Sequence, residues 1–278
     1  MSSTTRRPIR TSGRVARGDA RPCPPGRSGL LSSGSSSTSW ESAEELVRSA
    51  IDVLQKWLPE ATPRRFGSFE PMQSTLDGDG VDGFLDELAA GGNIYWSATK
   101  PFFGGELWRG DAIEDLLREM PGGVPSAPEG PRVDRLVLDL DSRVLRDPRW
   151  HRDIVDGFAA IADALSAFYG RAWIDPGWVV AANGRVWADA QTRGGGRGSV
   201  IHWRESHWLG LRPDPLWLAW FGTRFGSAGV GETRGSGRLF IASGEPSESG
   251  APAQERPPVA GEWLASGAAR AAVVPSGL

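Results

Sequence analysis

Apolar residues recur at helical spacing early in the chain: Val47, Ala50, Ile51, Leu54, Trp57 and Leu58, with Pro59 ending the run. The pattern predicts an amphipathic helix from near Trp40, with Ser42 and Glu45 as a capping-box pair. Phe66 to Pro71 reads as a short extended piece. A second helix is expected over Val81 to Ala90, closed by Gly91-Gly92. Asn93 to Thr99 and Gly105 to Trp108 read as strands around a turn at Pro101 to Gly104, and a short helix is expected over Ala112 to Glu119. Leu136, Leu138 and Leu140 then alternate with Val137, Asp139 and Asp141, the period of a half-buried strand. Asp147-Pro148 opens what reads as the longest helix. Ile154, Val155, Phe158, Ile161, Ala162, Leu165 and Phe168 keep its period to near Gly170. Trp178 to Ala182 and Arg185 to Ala188 flank Asn183-Gly184, a hairpin signal. Strands are expected at Ser199 to Trp203, Leu216 to Phe221 and Arg238 to Ala242.

These elements predict one α+β domain, with a mixed or mostly antiparallel sheet and two main helices packed on one face. Composition sets its limits. Residues 1–38 carry seven arginines against Asp19, a formal +6, which leaves −9 on residues 39–278 of the net −3. That first stretch is rich in Ser, Arg, Gly and Pro and poor in large apolar residues, so it is expected to be disordered. It also reads as a transit segment or a nucleic-acid-binding arm. Residues 39–243 form the expected globular domain. Residues 244–278 read as a Pro/Ser/Gly-rich linker and tail, with Trp263 as an anchor that docks back. No apolar run approaches the roughly 20 residues of a membrane helix, and Cys23 is the single cysteine. A cytoplasmic location is expected.

The candidate chemistry is thin. Gly226 to Thr233 has the glycine spacing of a phosphate-binding loop, but Glu232 stands where lysine should offset phosphate charge. His202, Glu205 and His207 are the wrong spacing for one zinc face. Asp77, Asp79 and Asp82 resemble half a calcium loop, with Leu88 where its closing glutamate belongs. Asp139 and Asp141, with His202, are the metal candidates for a hydrolase or transferase reading. No GxSxG elbow is present, and no cofactor is implied.

Tryptophan is abundant, 13 against 2 tyrosines. Trp203, Trp208, Trp217 and Trp220 cluster beside Arg204 and Arg212. Such residues either fill a core or anchor a partner, and both readings stand at this point.

Three segments share a layout: Pro63 to Pro71, Phe102 to Trp108 and Trp208 to Gly222. In it the chain resembles a loose set of actinobacterial proteins and, more distantly, immunity proteins of bacterial polymorphic-toxin systems. Those families pair an early Arg-aromatic-Gly turn with a late Trp-Phe-Gly strand end. The resemblance spans Trp40 to Phe225 and implies a non-enzymatic, partner-binding protein that neutralises a toxin. The expected partner-binding residues are Trp208, Arg212, Trp217 and Trp220, with Glu205 as a charged partner. The −9 body suits a basic toxin. The alternatives are the metal-dependent enzyme and nucleic-acid binding through the arginine-rich stretch.

Overall fold

The computed structural model describes residues 30–33, 40–109, 134–174, 178–181, 184–187, 210–211, 215–228, 230–244 and 252–259. Among them lie three α-helices: α1 (Trp40–Trp57), α2 (Leu76–Gly91) and α3 (Pro148–Ala164). The strands up to α3 are β1 (Leu30–Ser33), β2 (Arg65–Gly67), β3 (Ser74–Thr75), β4 (Asn93–Ser97), β5 (Phe102–Trp108) and β6 (Asp134–Leu140). After α3 come β7 (Tyr169–Ala172), β8 (Trp178–Ala181), β9 (Gly184–Trp187), β10 (Leu218–Phe221), β11 (Glu232–Arg234) and β12 (Gly237–Ile241). Strands β8 and β9 pair only with each other. The other ten form one sheet in the order β11-β12-β10-β7-β1-β6-β5-β4-β2-β3, with every neighbouring pair antiparallel. This is the expected α+β class, and no described helix is long and apolar enough to cross a membrane.

Local chemistry explains the helix ends. Asp147 caps α3, accepting from Arg149 N at 2.9 Å, and Pro148 occupies the first turn, where no N–H is needed. Thr75 caps α2 by accepting from Gly78 N at 3.1 Å, and Gly92 ends it in the left-handed conformation at φ 68°. Several expectations shift. Helix α1 already starts at Trp40, two residues before Ser42, the residue expected at its start. The span of α2 is two helical pieces that meet at Gly80, at φ 69° and ψ −172°: a short turn that Thr75 caps, and then the helix expected from Val81. Helix α3 stops at Ala164, and Tyr169 is already strand, so Phe168 does not continue the helical stripe. The expected helix at Ala112 to Glu119, the strand at Ser199 to Trp203 and the anchor Trp263 lie outside the described residues.

Two larger corrections concern the chain's ends. Leu30–Ser33 falls within the stretch expected to be disordered, yet it is a strand hydrogen-bonded to both β6 and β7. Its order comes from two long-range ladders, which local composition does not reveal. Likewise part of the expected linker is seated. Glu255 and Leu216 exchange backbone hydrogen bonds at 2.8 and 2.9 Å, and Ile174 N donates to Gln254 Oε1 at 2.9 Å.

The helices cover one face of the sheet. Val47, Ile51 and Leu54 of α1, Phe84 and Leu88 of α2, and Ile154, Phe158 and Ile161 of α3 share a core with Ile94, Trp96, Leu136, Leu138, Leu218, Trp220 and Leu239. Trp96 lies across the strand partner Gly105, where a Cβ would sit 2.2 Å from its ring, and its Nε1 donates to Ala61 O at 3.1 Å. Trp220 lies likewise over Gly237 and donates to Ala167 O at 3.0 Å. On the opposite face a second cluster gathers Phe168, Tyr169, Leu211, Leu216, Ala219, Phe221 and Phe225.

Trp220→Phe is expected to lower unfolding free energy by about 2–3 kcal/mol, through a lost buried hydrogen bond and a small cavity. Urea titration with an unchanged far-ultraviolet spectrum checks this. A second expectation concerns His151, whose ring lies 5.0 Å from that of Trp217. Burial pushes its imidazole below the ordinary 6.5. Between the depressed folded value and 6.5 the unfolded chain binds more protons, so this contribution to stability is full above about pH 6.5 and is lost as pH falls below it. The urea midpoint is therefore expected to drop more between pH 7 and pH 5 in the natural chain than in His151→Gln.

Candidate functional site

Antiparallel pairing places directly opposed residues on one side of the sheet, so the helix-free face follows from the register. Tyr95 of β4 faces Glu106 of β5, which faces Val137 of β6. One step along, Asn93 faces Trp108, which faces Arg135. Four of these residues, Tyr95, Glu106, Trp108 and Arg135, form a compact checkerboard. The rings of Tyr95 and Trp108 meet edge to face, 5.6 Å apart at 88°. The guanidinium of Arg135 lies 6.0 Å from the Trp108 ring, and its Nη2 donates to Glu106 Oε1 at 2.6 Å.

Burial sets the electrostatics of this group. Arg135 is only 5% exposed, while the Glu106 side chain keeps 26% of its surface. An arginine so deep in a sheet needs a carboxylate at hydrogen-bond distance, and Glu106 supplies it. Tyr95 is half-buried, and its phenol is held above the ordinary value of 10.0, first by burial and then by the negative charge of Glu106, against a lowering by Arg135. At neutral pH Tyr95 is therefore a hydrogen-bond donor. The Trp108 Nε1 is removed from solvent and has no acceptor. Beyond β1, Arg171 extends the same face, 5% exposed, with its guanidinium 4.6 Å from the Trp173 ring.

The sequence-based candidates fare differently. Trp217 and Trp220 are 1% and 0% exposed and belong to the core, which corrects their assignment as partner anchors. The apolar run from Leu216 to Phe221 is buried on both faces of the sheet, so neither indole reaches a partner. Glu205, Trp208, Arg212 and His202 lie outside the described residues. Asp139 sits on the helix-free face, whereas Asp141 lies past the end of β6. There it caps a short 3-10 turn over Ser142–Arg146 and pairs with Arg143, which holds its carboxyl below the usual value. The two aspartates therefore do not share a metal. Asp79 accepts from Thr75 N at 2.7 Å and Asp82 pairs with Arg48, so the aspartates that resemble half a calcium loop are engaged in a helix start and an ion pair. Among the described residues no group of three His, Cys, Asp or Glu is placed to hold a metal. The glycine-rich stretch runs from a 3-10 turn over Thr223–Ala228 into β11, so no helix follows it.

The checkerboard is absent from the sequence-based candidates, although a signal for it exists. Asn93, Tyr95 and Ser97, then Glu106 and Trp108, alternate polar and aromatic residues against Ile94, Trp96 and Leu107. That period of two marks one strand face. What the sequence lacks is the pairing that brings Arg135 to Glu106.

The chain matches no protein-family model and no curated protein sequence. Among solved structures, the Pseudomonas aeruginosa T6SS protein PA0821 is similar over 74% of this chain and 58% of its own, with 12% identity and a TM-score of 0.39. The chain thus spans less than two thirds of that protein's length.

The charge coupling is measurable, because the chain has 2 tyrosines. Glu106→Gln is expected to lower the titration point of Tyr95 toward 10.0 by removing a neighbouring negative charge. Tyrosinate ultraviolet absorbance against pH reads this directly, with Tyr95→Phe assigning the transition.

Proposed function

We propose that this chain is a non-enzymatic protein-binding module, an immunity protein that neutralises a cognate toxin through its helix-free sheet face. The observation that carries the reading is the checkerboard of Tyr95, Glu106, Trp108 and Arg135. It sets Tyr, Trp and Arg, the residue types that dominate binding hot spots, side by side on one sheet face, with Glu106 paired to the arginine. The protonated phenol of Tyr95 and the ion pair beside it add fixed polar contacts around the aromatic centre.

Charge supports the same reading. Residues 39–278 carry −9, which speeds encounter with a basic toxin such as a nuclease. Action in the cytoplasm belongs to the same proposal, as do contacts from Glu205, Trp208 and Arg212.

Co-expression with the product of the adjacent gene tests it, with size-exclusion chromatography and a growth assay as readouts. Tyr95→Ala and Trp108→Ala are expected to weaken the complex by roughly 10–100-fold, mainly through faster dissociation, while the melting temperature stays within a few degrees. Phe69→Ser, at a residue 68% exposed, is expected to leave binding unchanged. Folded Tyr95 and Trp108 variants that bind and rescue as well as the natural chain would overturn the proposal.

A further inference from the structure

Among the described strands, β1 alone precedes α1, yet it stands in the interior of the sheet. It joins two halves, β6-β5-β4-β2-β3 on one side and β7-β10-β12-β11 on the other. Its register is set on both flanks: Leu30 opposite Val137 and Arg171, Leu31 opposite Leu136 and Gly170, Ser32 opposite Arg135 and Tyr169. Without β1, strands β6 and β7 would each present an open edge across a gap one strand wide. Open edges of this kind template pairing with any extended segment that reaches them.

Three features decide what else reaches the gap. The donor segment precedes every other described element, so it leaves the sheet without drawing any of them along. Only Gly34-Ser-Ser-Ser-Thr-Ser39 separates it from α1, a length that spans about 20 Å at full extension. The donor and the body are also oppositely charged, +6 on residues 1–38 and −9 on residues 39–278, so the first stretch of one copy is drawn to the body of another.

We propose that the gap between β6 and β7 is a strand-acceptor site, and that the Leu30–Ser33 segment of a second copy of this chain enters it in place of the chain's own. Reciprocal exchange gives a two-fold dimer in which each ladder keeps its register. This proposal is independent of the toxin-binding reading, since it uses the sheet's interior edges and not the checkerboard.

The test uses the full chain carrying Cys23→Ser, Ser33→Cys and Asp134→Cys, because Ser33 and Asp134 are paired across β1 and β6. Dilute protein, oxidised, is expected to give an internal disulfide that runs as a monomer on a non-reducing gel. Protein incubated at high concentration before oxidation is expected to give a covalent dimer that reducing agent dissolves. Internal crosslinking alone at every concentration, or no crosslink at all, overturns the proposal. If the triple variant fails to fold, two differently tagged copies of the natural chain decide the matter. They are expected to co-purify after mixing, and to stop doing so when both carry Leu31→Pro, which removes a ladder N–H. No co-purification of the natural copies, or its persistence with Leu31→Pro, overturns the proposal.

Discussion

Two tryptophans laid across glycines join the helical layer to the sheet, and the rest of the arrangement depends on that contact. Trp96 and Trp220 stand on the helix side of strands near opposite ends of the sheet, over Gly105 and Gly237. Each indole finds its acceptor in a carbonyl just beyond an α-helix, Ala61 in the 3-10 turn after α1 and Ala167 after α3. An aromatic ring of this size buries about 150–250 Å², worth roughly 4–6 kcal/mol of gross apolar burial. A side chain at either glycine would push the ring off the sheet and break its hydrogen bond. The glycines of the Phe-Phe-Gly-Gly-Glu-Leu-Trp segment thus serve the packing, while its Glu106 and Trp108 belong to the face proposed to bind a partner.

Placing all three helices on one face has a consequence for the other. That face must accommodate Arg135 and Arg171, each 5% exposed, without cover from any of the described helices. One end is closed by the loop cluster around Phe221 and Phe225. Toward β4 and β5 the solution is electrostatic, with Glu106 set against Arg135 and aromatic rings packed around the pair. Removing Glu106 takes a carboxylate from a buried guanidinium, a costly change that makes the pair a fixed feature of the face. Fixed aromatic and charged groups of this kind suit recognition of a partner of defined shape.

Much of the helical layer was legible in the chain. The 3.6-residue period of α1 and α3 and the Asp147-Pro148 start are local signals, and they correspond to helices. The acceptance of positive φ by Gly92 likewise marks the end of α2. What escaped reading is non-local. The Leu30-Leu-Ser-Ser segment carries weak strand propensity and owes its order to ladders with residues more than 100 positions away. Arg135 and Glu106 are 29 residues apart, and only the β5–β6 register joins them. Leu216 to Phe221 shows that a continuous apolar run outweighs the presence of tryptophan and arginine nearby: buried on both faces, it makes Trp217 and Trp220 core. Alternation of leucines and acids in β6 gave the right faces but not the degree of cover, because Val137 and Arg135 are buried on the side read as solvated.

Hydroxyl-radical footprinting of the full chain, with and without the adjacent-gene product, tests the central claim most directly, because oxidation reports side-chain access ring by ring. Trp57 and Phe69, which are exposed, serve as internal references. The account predicts that partner binding suppresses oxidation of Tyr95 and Trp108 while Trp57 and Phe69 react as before. Unchanged oxidation of Tyr95 and Trp108 in a complex that protects Trp57 or Phe69 would contradict it and place the interface elsewhere.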